Sequence, residues 1–159
     1  MRVLKNSNQK LRETKTRDGS KVIIINNGRI LLLKRRSVPF IINPGIWAFV
    51  GGGRDKRETY LQTAYREVHE ETGIERSKLK LVNKPKRMAL INVKKPEERW
   101  KNVVFIFVSK TGDVKLNIEN ADYRWATFSQ LEKGERFTNE FVAKKEILRM
   151  VRTVLKRQG

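Results

Sequence analysis

The chain contains no cysteine, which excludes a disulfide framework and any cysteine metal site. Acidic residues are scarce: 17 Asp and Glu stand against 36 Lys and Arg, a formal charge of +19 at pH 7. An excess of that size favours polyanionic partners such as RNA, DNA, nucleotides or polyphosphate. A solvated lysine-rich surface is the plainer alternative, although hyperthermophile surfaces raise Glu along with Lys. Long apolar runs are missing too. The longest, residues 22–25 and 30–33, are far too short to span a bilayer. Residues 1–7 lack the apolar core of a signal peptide. These absences predict a cytoplasmic protein without a membrane partner. Neither a Walker motif nor a G-x-G-x-x-G fingerprint is present, so nothing supports an ATPase or a dehydrogenase.

A length of 159 residues favours one domain with a sizeable core. Residues 1–20 are polar and basic, with a turn signal at Asp18-Gly19, and read as a basic arm or short edge strand. Residues 21–159 read as the single domain. Two β-rich runs, residues 21–25 and 29–36, flank Asn26-Asn27-Gly28, a hairpin signal. Their unbroken apolar character predicts strands covered on both faces. Pro39, Pro44 and Gly45 mark residues 37–46 as a loop, and residues 47–50 as a short strand after it. Further strands are expected over 80–82, 87–93, 103–108 and 125–128, with a polar loop over 94–102. Ser129 to Glu132 reads as a capping box opening a brief helix. Thr138 and Asn139 are N-cap candidates for a final helix over about 140–156, with Phe141, Ile147 or Leu148, Val151 and Leu155 as its apolar stripe. Strands, a helix, strands, then one or two helices imply an α/β fold with helices on both faces of a sheet.

Residues 51–74 organise the rest. Three glycines follow an apolar run, and then Leu61, Ala64, Tyr65 and Val68 recur at helical spacing to form one apolar face. Glu67, Glu70 and Glu71 gather on an adjoining face, and Gly73 stands where a left-handed cap is wanted. Thr59 and Asp55 are candidate caps at the start. Three carboxylates so close repel one another, and a helix needing only solubility would disperse them. Their clustering points to a hard divalent cation, which prefers oxygen ligands. A solvated acidic face with a glycine cap is the alternative for any single Glu pair.

The spacing is Gly52, five residues, Glu58, seven residues, then Arg66-Glu67-Val68-His69-Glu70-Glu71-Thr72-Gly73-Ile74. It resembles the Nudix box, Gly-x5-Glu-x7-Arg-Glu-U-x-Glu-Glu-x-Gly-U with U aliphatic, at every fixed position. The resemblance implies an α/β/α sandwich with a mixed sheet and a pyrophosphohydrolase using Mg²⁺, with Mn²⁺ able to substitute. The substrate implied is a nucleoside diphosphate derivative: a nucleoside triphosphate, ADP-ribose or a dinucleoside polyphosphate. Glu67, Glu70, Glu71 and the Gly51 carbonyl are then the expected metal ligands, with Glu119, six residues before Trp125, as a distal one preferred over Asp122. Glu67 is the expected general base, Glu70 shares the catalytic set, and Arg66 with Glu58 orients the carboxylates. Gly52 and Gly73 serve the backbone. By the same resemblance, Arg35 and Arg36 lie near substrate phosphates, and a homodimer is compatible with the family. Phe40, Trp47, Phe49 and Trp100 are aromatic candidates for stacking on a base or for packing, and Trp47 is placed with the substrate-binding set. His69 falls at a variable position and reads as a surface residue. Two alternatives stand beside the nucleotide hydrolase: an enzyme acting on the RNA 5′ end, and a non-catalytic basic RNA-binding module.

Overall fold

The computed structural model describes residues 16–37, 45–92, 95–134 and 145–158. The leading strand, β1 (Thr16–Asn26), turns through Asn27 and Gly28, both at positive φ, into β2 (Arg29–Arg35). These two strands pair only at the hairpin end, Ile25 with Ile30 and Asn26 with Arg29. Beyond it they part, and the next segment fills the fork. Its first piece, β3 (Trp47–Ala48), pairs with β2, and its second, β4 (Val50–Gly53), pairs with β1. Phe49 sits buried between them. Further strands are β5 (Leu79–Leu81), β6 (Lys86–Asn92), β7 (Lys95–Ser109) and β8 (Asn120–Ala126). β1 runs parallel to β7 across its other edge, β5 and β6 pair antiparallel with β7, and β8 pairs antiparallel with β2. The sheet is therefore mixed.

Alternate residues of the central strands enter two separate cores. Ile23, Ile25, Ile30, Leu32, Val104 and Ile106 meet Ile147, Val151 and Val154 of α3 (Lys145–Gln158) and Leu131 of α2 (Phe128–Lys133). Val22, Ile24, Leu31, Leu33, Phe105 and Phe107 meet Ala64 and Val68 of α1 (Tyr60–Thr72). Helices thus cover both faces, which is the three-layer arrangement expected. It also explains the unbroken apolar runs, since each fully buried Ile or Leu contributes about 1.5–3 kcal/mol whichever face it enters. Among the described residues no helix is long and apolar enough to cross a membrane.

Several local expectations change. Asp18-Gly19 is not a turn but lies inside β1, which is an interior strand beginning at Thr16. Residues 95–102 are not a loop: β7 continues through Pro96, pairing with β6 on one side and with residues 16–19 of β1 on the other. The polar composition there misled because strand pairing is set by backbone hydrogen bonds, which any residue but proline can donate. The last sheet strand ends at Ala126 rather than Phe128, and the following capping box is Thr127 with Gln130, two residues before the expected one. Phe40, Thr138, Asn139 and Phe141, and the side chain of Trp100, lie outside the described residues.

Candidate active site

Helix α1 is fixed at its start by side-chain hydrogen bonds. Thr59 accepts from the Gln62 N–H at 3.1 Å while the Gln62 amide oxygen accepts from the Thr59 N–H at 2.8 Å. Ser20 Oγ donates to the Tyr60 carbonyl at 2.7 Å, and the Tyr60 hydroxyl donates to Asp18 at 2.6 Å. Arg54 completes this tie, donating to Asp18 at 2.7 Å and to the Glu58 carbonyl at 2.9 Å. At the other end Gly73, at φ 71°, donates to the His69 carbonyl at 2.9 Å. The helix is thereby held over β4, with its later turns against the glycines.

Those glycines are a spatial requirement. A Cβ on Gly52 would collide with the carboxylate of Glu67, and one on Gly51 would stand 2.6 Å from the Ser20 carbonyl and 3.3 Å from Lys21 Nζ. The Gly51 N–H donates to Glu71 Oε2 at 3.4 Å. Gly52→Ala is expected to lower activity by about tenfold or more with little loss of stability. A displaced catalytic side chain costs rate steeply, whereas the colliding group is the free end of a flexible side chain that can move aside. Paired rate and melting measurements check this, and equal loss in both would contradict it.

Arg66 ties the acids together. Its Nε donates to Glu58 Oε1 at 2.6 Å and its Nη2 to Glu58 Oε2 at 3.0 Å and to the Gly53 carbonyl at 3.0 Å. Its Nη1 donates to Glu67 at 2.8 Å and to Glu70 at 3.3 Å. Hydrogen bonds from Arg66 and Thr63 hold the Glu58 carboxyl down at about 2. Glu67 and Glu71 go the other way. Burial pushes Glu67 upward against the nearby Arg66 charge, and Glu70 and Glu119 add to the rise. Burial, with the charge of Glu67, raises Glu71 to about 8, although Lys21, Arg35 and the Gly51 N–H favour its ionised form. Glu71 is only 4% exposed, whereas the Glu70 side chain is 53% exposed.

The donor chemistry suits a hard cation: buried carboxylate oxygens beside a backbone without a Cβ. Among the described residues no three acidic or histidine side chains are already gathered as an ion site, and Arg66 bridges Glu58, Glu67 and Glu70.

The other sequence candidates divide. Glu119 pairs with Arg35 at 3.7 Å and lies near enough to Glu67 for its charge to be felt there. Asp122 is exposed and accepts from the Tyr123 N–H. Arg35 faces the acids, and its charge acts on both Lys21 and Glu71. Arg36 turns away: its Nε donates to the Ile118 carbonyl at 2.7 Å, bracing the turn that carries Glu119. Trp47 packs half-buried on the α3 core with Arg124 5.6 Å above its ring, and Phe49 is core. His69 is exposed. Two features went unread in the sequence. Lys21, at the start of the apolar run 21–25, carries its charge close to Glu71 and Glu67, and burial lowers its pKa. A cation opening an otherwise apolar strand was the available signal. The Asp18–Arg54–Tyr60 tie had none, because its members are far apart in sequence.

The NUDIX domain family model matches residues 15–147. The nucleoside triphosphatase NudI of Enterobacter sp. (strain 638) is 36% identical over 115 residues, covering 69% of this chain and 80% of that protein. Among solved structures, a C. elegans Ap4A hydrolase binary complex superposes with a TM-score of 0.69 at 19% identity, over 89% of this chain and 97% of the other. A MutT NUDIX hydrolase from Burkholderia pseudomallei gives 0.58 at 26% identity, over 72% and 85%.

Proposed function

Since this chain belongs to the NUDIX family and is a Nudix pyrophosphohydrolase, we propose that it hydrolyses a diphosphate linkage of a nucleoside triphosphate with Mg²⁺ or Mn²⁺. The observation that carries the metal assignment is the pair of buried carboxylates, Glu67 and Glu71, set against the bare backbone of Gly51 and Gly52. The triphosphate rests on the 36% identity to a nucleoside triphosphatase. Glu67, Glu70, Glu71 and the Gly51 carbonyl would hold the cation, with Glu119 as a further ligand. When bound, it neutralises diphosphate charge and lowers the pKa of the attacking water.

The chain's own residues do the rest. Glu67 takes the proton of the attacking water, helped by its enclosed position. The water oxygen bonds to a phosphorus, the bridging P–O bond breaks, and its electron pair leaves on the departing phosphate. Arg66 orients Glu67 and Glu70 and is itself aligned by Glu58. Arg35, with its fork near the acids, meets phosphate oxygens. A panel of nucleoside triphosphates, ADP-ribose, dinucleoside polyphosphates and 5′-triphosphorylated RNA, assayed with Mg²⁺, tests the assignment. Nucleoside triphosphates are expected to be cut fastest. A clear preference for any other member would overturn the substrate, and no turnover of any would overturn the proposal.

Metal binding should depend on pH with a defined sign. Glu71 at about 8, above its ordinary 4.5, must lose a proton to act as a ligand. Mg²⁺ affinity therefore rises as pH climbs toward 8 and levels off above it. In the metal-free protein the protonated carboxyl is the form favoured by folding. Its contribution is present below pH 4.5 and is lost as pH rises through about 8. Glu58 has the opposite sign: its contribution is present above pH 4.5 and fades as pH falls toward 2. Melting curves at pH 6 and 8.5, with and without Mg²⁺, should show the larger metal-induced rise at pH 8.5. An equal rise at both would contradict the role of Glu71.

A further inference from the structure

The active site leaves most of the +19 charge unused, and four cations line a groove elsewhere on the protein. This groove, about 260 Å³, lies between α3 and the connection from β5 to β6. Its floor is apolar: Val82, Met150 and Val154. Lys84 and Lys86 stand on one wall, and Arg149 and Arg157 on the other. All four cations are exposed, and Glu146 is paired with Lys86 at 2.6 Å. The groove is on the α3 face at the β5–β6 edge of the sheet, whereas the acids project from α1 on the other face.

We propose that this groove binds the sugar–phosphate backbone of single-stranded RNA. Arg149 and Arg157 are eight residues apart on one helix face, about 12 Å. That is longer than the spacing of successive phosphates, so both arginines can meet phosphates of one strand. The opposite wall is held in place to face them. Asn83 donates through Nδ2 to the Val104 carbonyl at 3.2 Å and accepts from the Ile106 N–H at 2.7 Å, pinning the segment that carries Lys84 and Lys86 to β7. The exposed guanidinium planes of Arg149 and Arg157 can stack on unstacked bases, which duplexes do not present. A lipid surface fits poorly, because the apolar stripe of α3, Ile147, Val151 and Val154, is already buried in the core. Among the described residues no aromatic ring lines the groove, so binding should be salt-dependent and tolerant of sequence.

Fluorescence anisotropy with labelled oligo(U), titrated across salt concentrations, tests this. R149E/R157E is expected to weaken binding about tenfold or more and to reduce the salt slope by roughly 1.4, at about 0.7 per lost phosphate contact. R149K/R157K should retain binding, confirming charge as the cause. K110E/K115E removes the same charge from exposed sites outside the groove and should change affinity little. Nucleotide hydrolysis and melting should be unchanged in all three variants. Equal losses in R149E/R157E and K110E/K115E would reduce the effect to net charge and overturn the groove. Equally tight binding of duplex RNA would overturn the single-strand assignment, and competition by polyglutamate would point to an acidic peptide instead.

Discussion

Glu67→Gln is expected to lower kcat by about 10²–10⁴-fold, the range supplied by a positioned proton acceptor, while the protein melts at the same temperature or slightly higher. The two effects separate because of where Glu67 sits. Its side chain is 12% exposed, it lies against the bare Gly52, and it is pushed toward protonation by burial. A neutral amide relieves that burial cost and the repulsion with Glu71, and its oxygen can still accept from Arg66. What it cannot do is take a proton or offer an anionic oxygen to a cation. Steady-state kinetics with Mg²⁺ alongside thermal melting reads both quantities. An unchanged kcat would remove Glu67 from the chemistry, and a large drop in melting temperature would make its role structural.

Arg66→Ala should damage stability as well as rate. Its guanidinium makes five hydrogen bonds, to Glu58 twice, Glu67, Glu70 and the Gly53 carbonyl. The Glu70 contact adds little, since that carboxylate is more than half exposed. Loss of the others leaves Glu58 and Glu67 without their main counter-charge. The expected cost is about 2–3 kcal/mol, discounted for an arginine one-third exposed, and seen as a fall of roughly 5–10 °C in melting temperature. Arg66→Lys keeps the charge but not the fork, so it should recover part of the stability and less of the rate. Full recovery of both by lysine would show that charge alone matters and that the bidentate geometry does not.

How far the sequence reached can be judged from particular residues. The helix 60–72, its glycine cap and its apolar face were legible because each rests on local periodicity within one segment. The Arg66–Glu58 pairing was legible because both belong to one spaced motif. Residues 95–102 were not, because their strand is defined by partners in β1 and β6 rather than by their own composition. The same applies to Lys21, whose approach to Glu71 depends on the register that sets it opposite Gly51. Trp47 packs on a core and Arg36 braces a turn, roles that the chain alone does not reveal. Residue type alone does not tell a stacking ring from a packed one.

The proposed hydrolysis requires the acids of α1 to hold a divalent cation. The most direct test is a Mn²⁺ titration followed by electron paramagnetic resonance of the free ion, on the wild-type protein and on E67Q/E71Q at pH 8.5. The wild type should take up Mn²⁺, and E67Q/E71Q should leave nearly all of it free while remaining folded. Equal uptake by both proteins would contradict the assignment of Glu67 and Glu71 and, with it, the mechanism built on them.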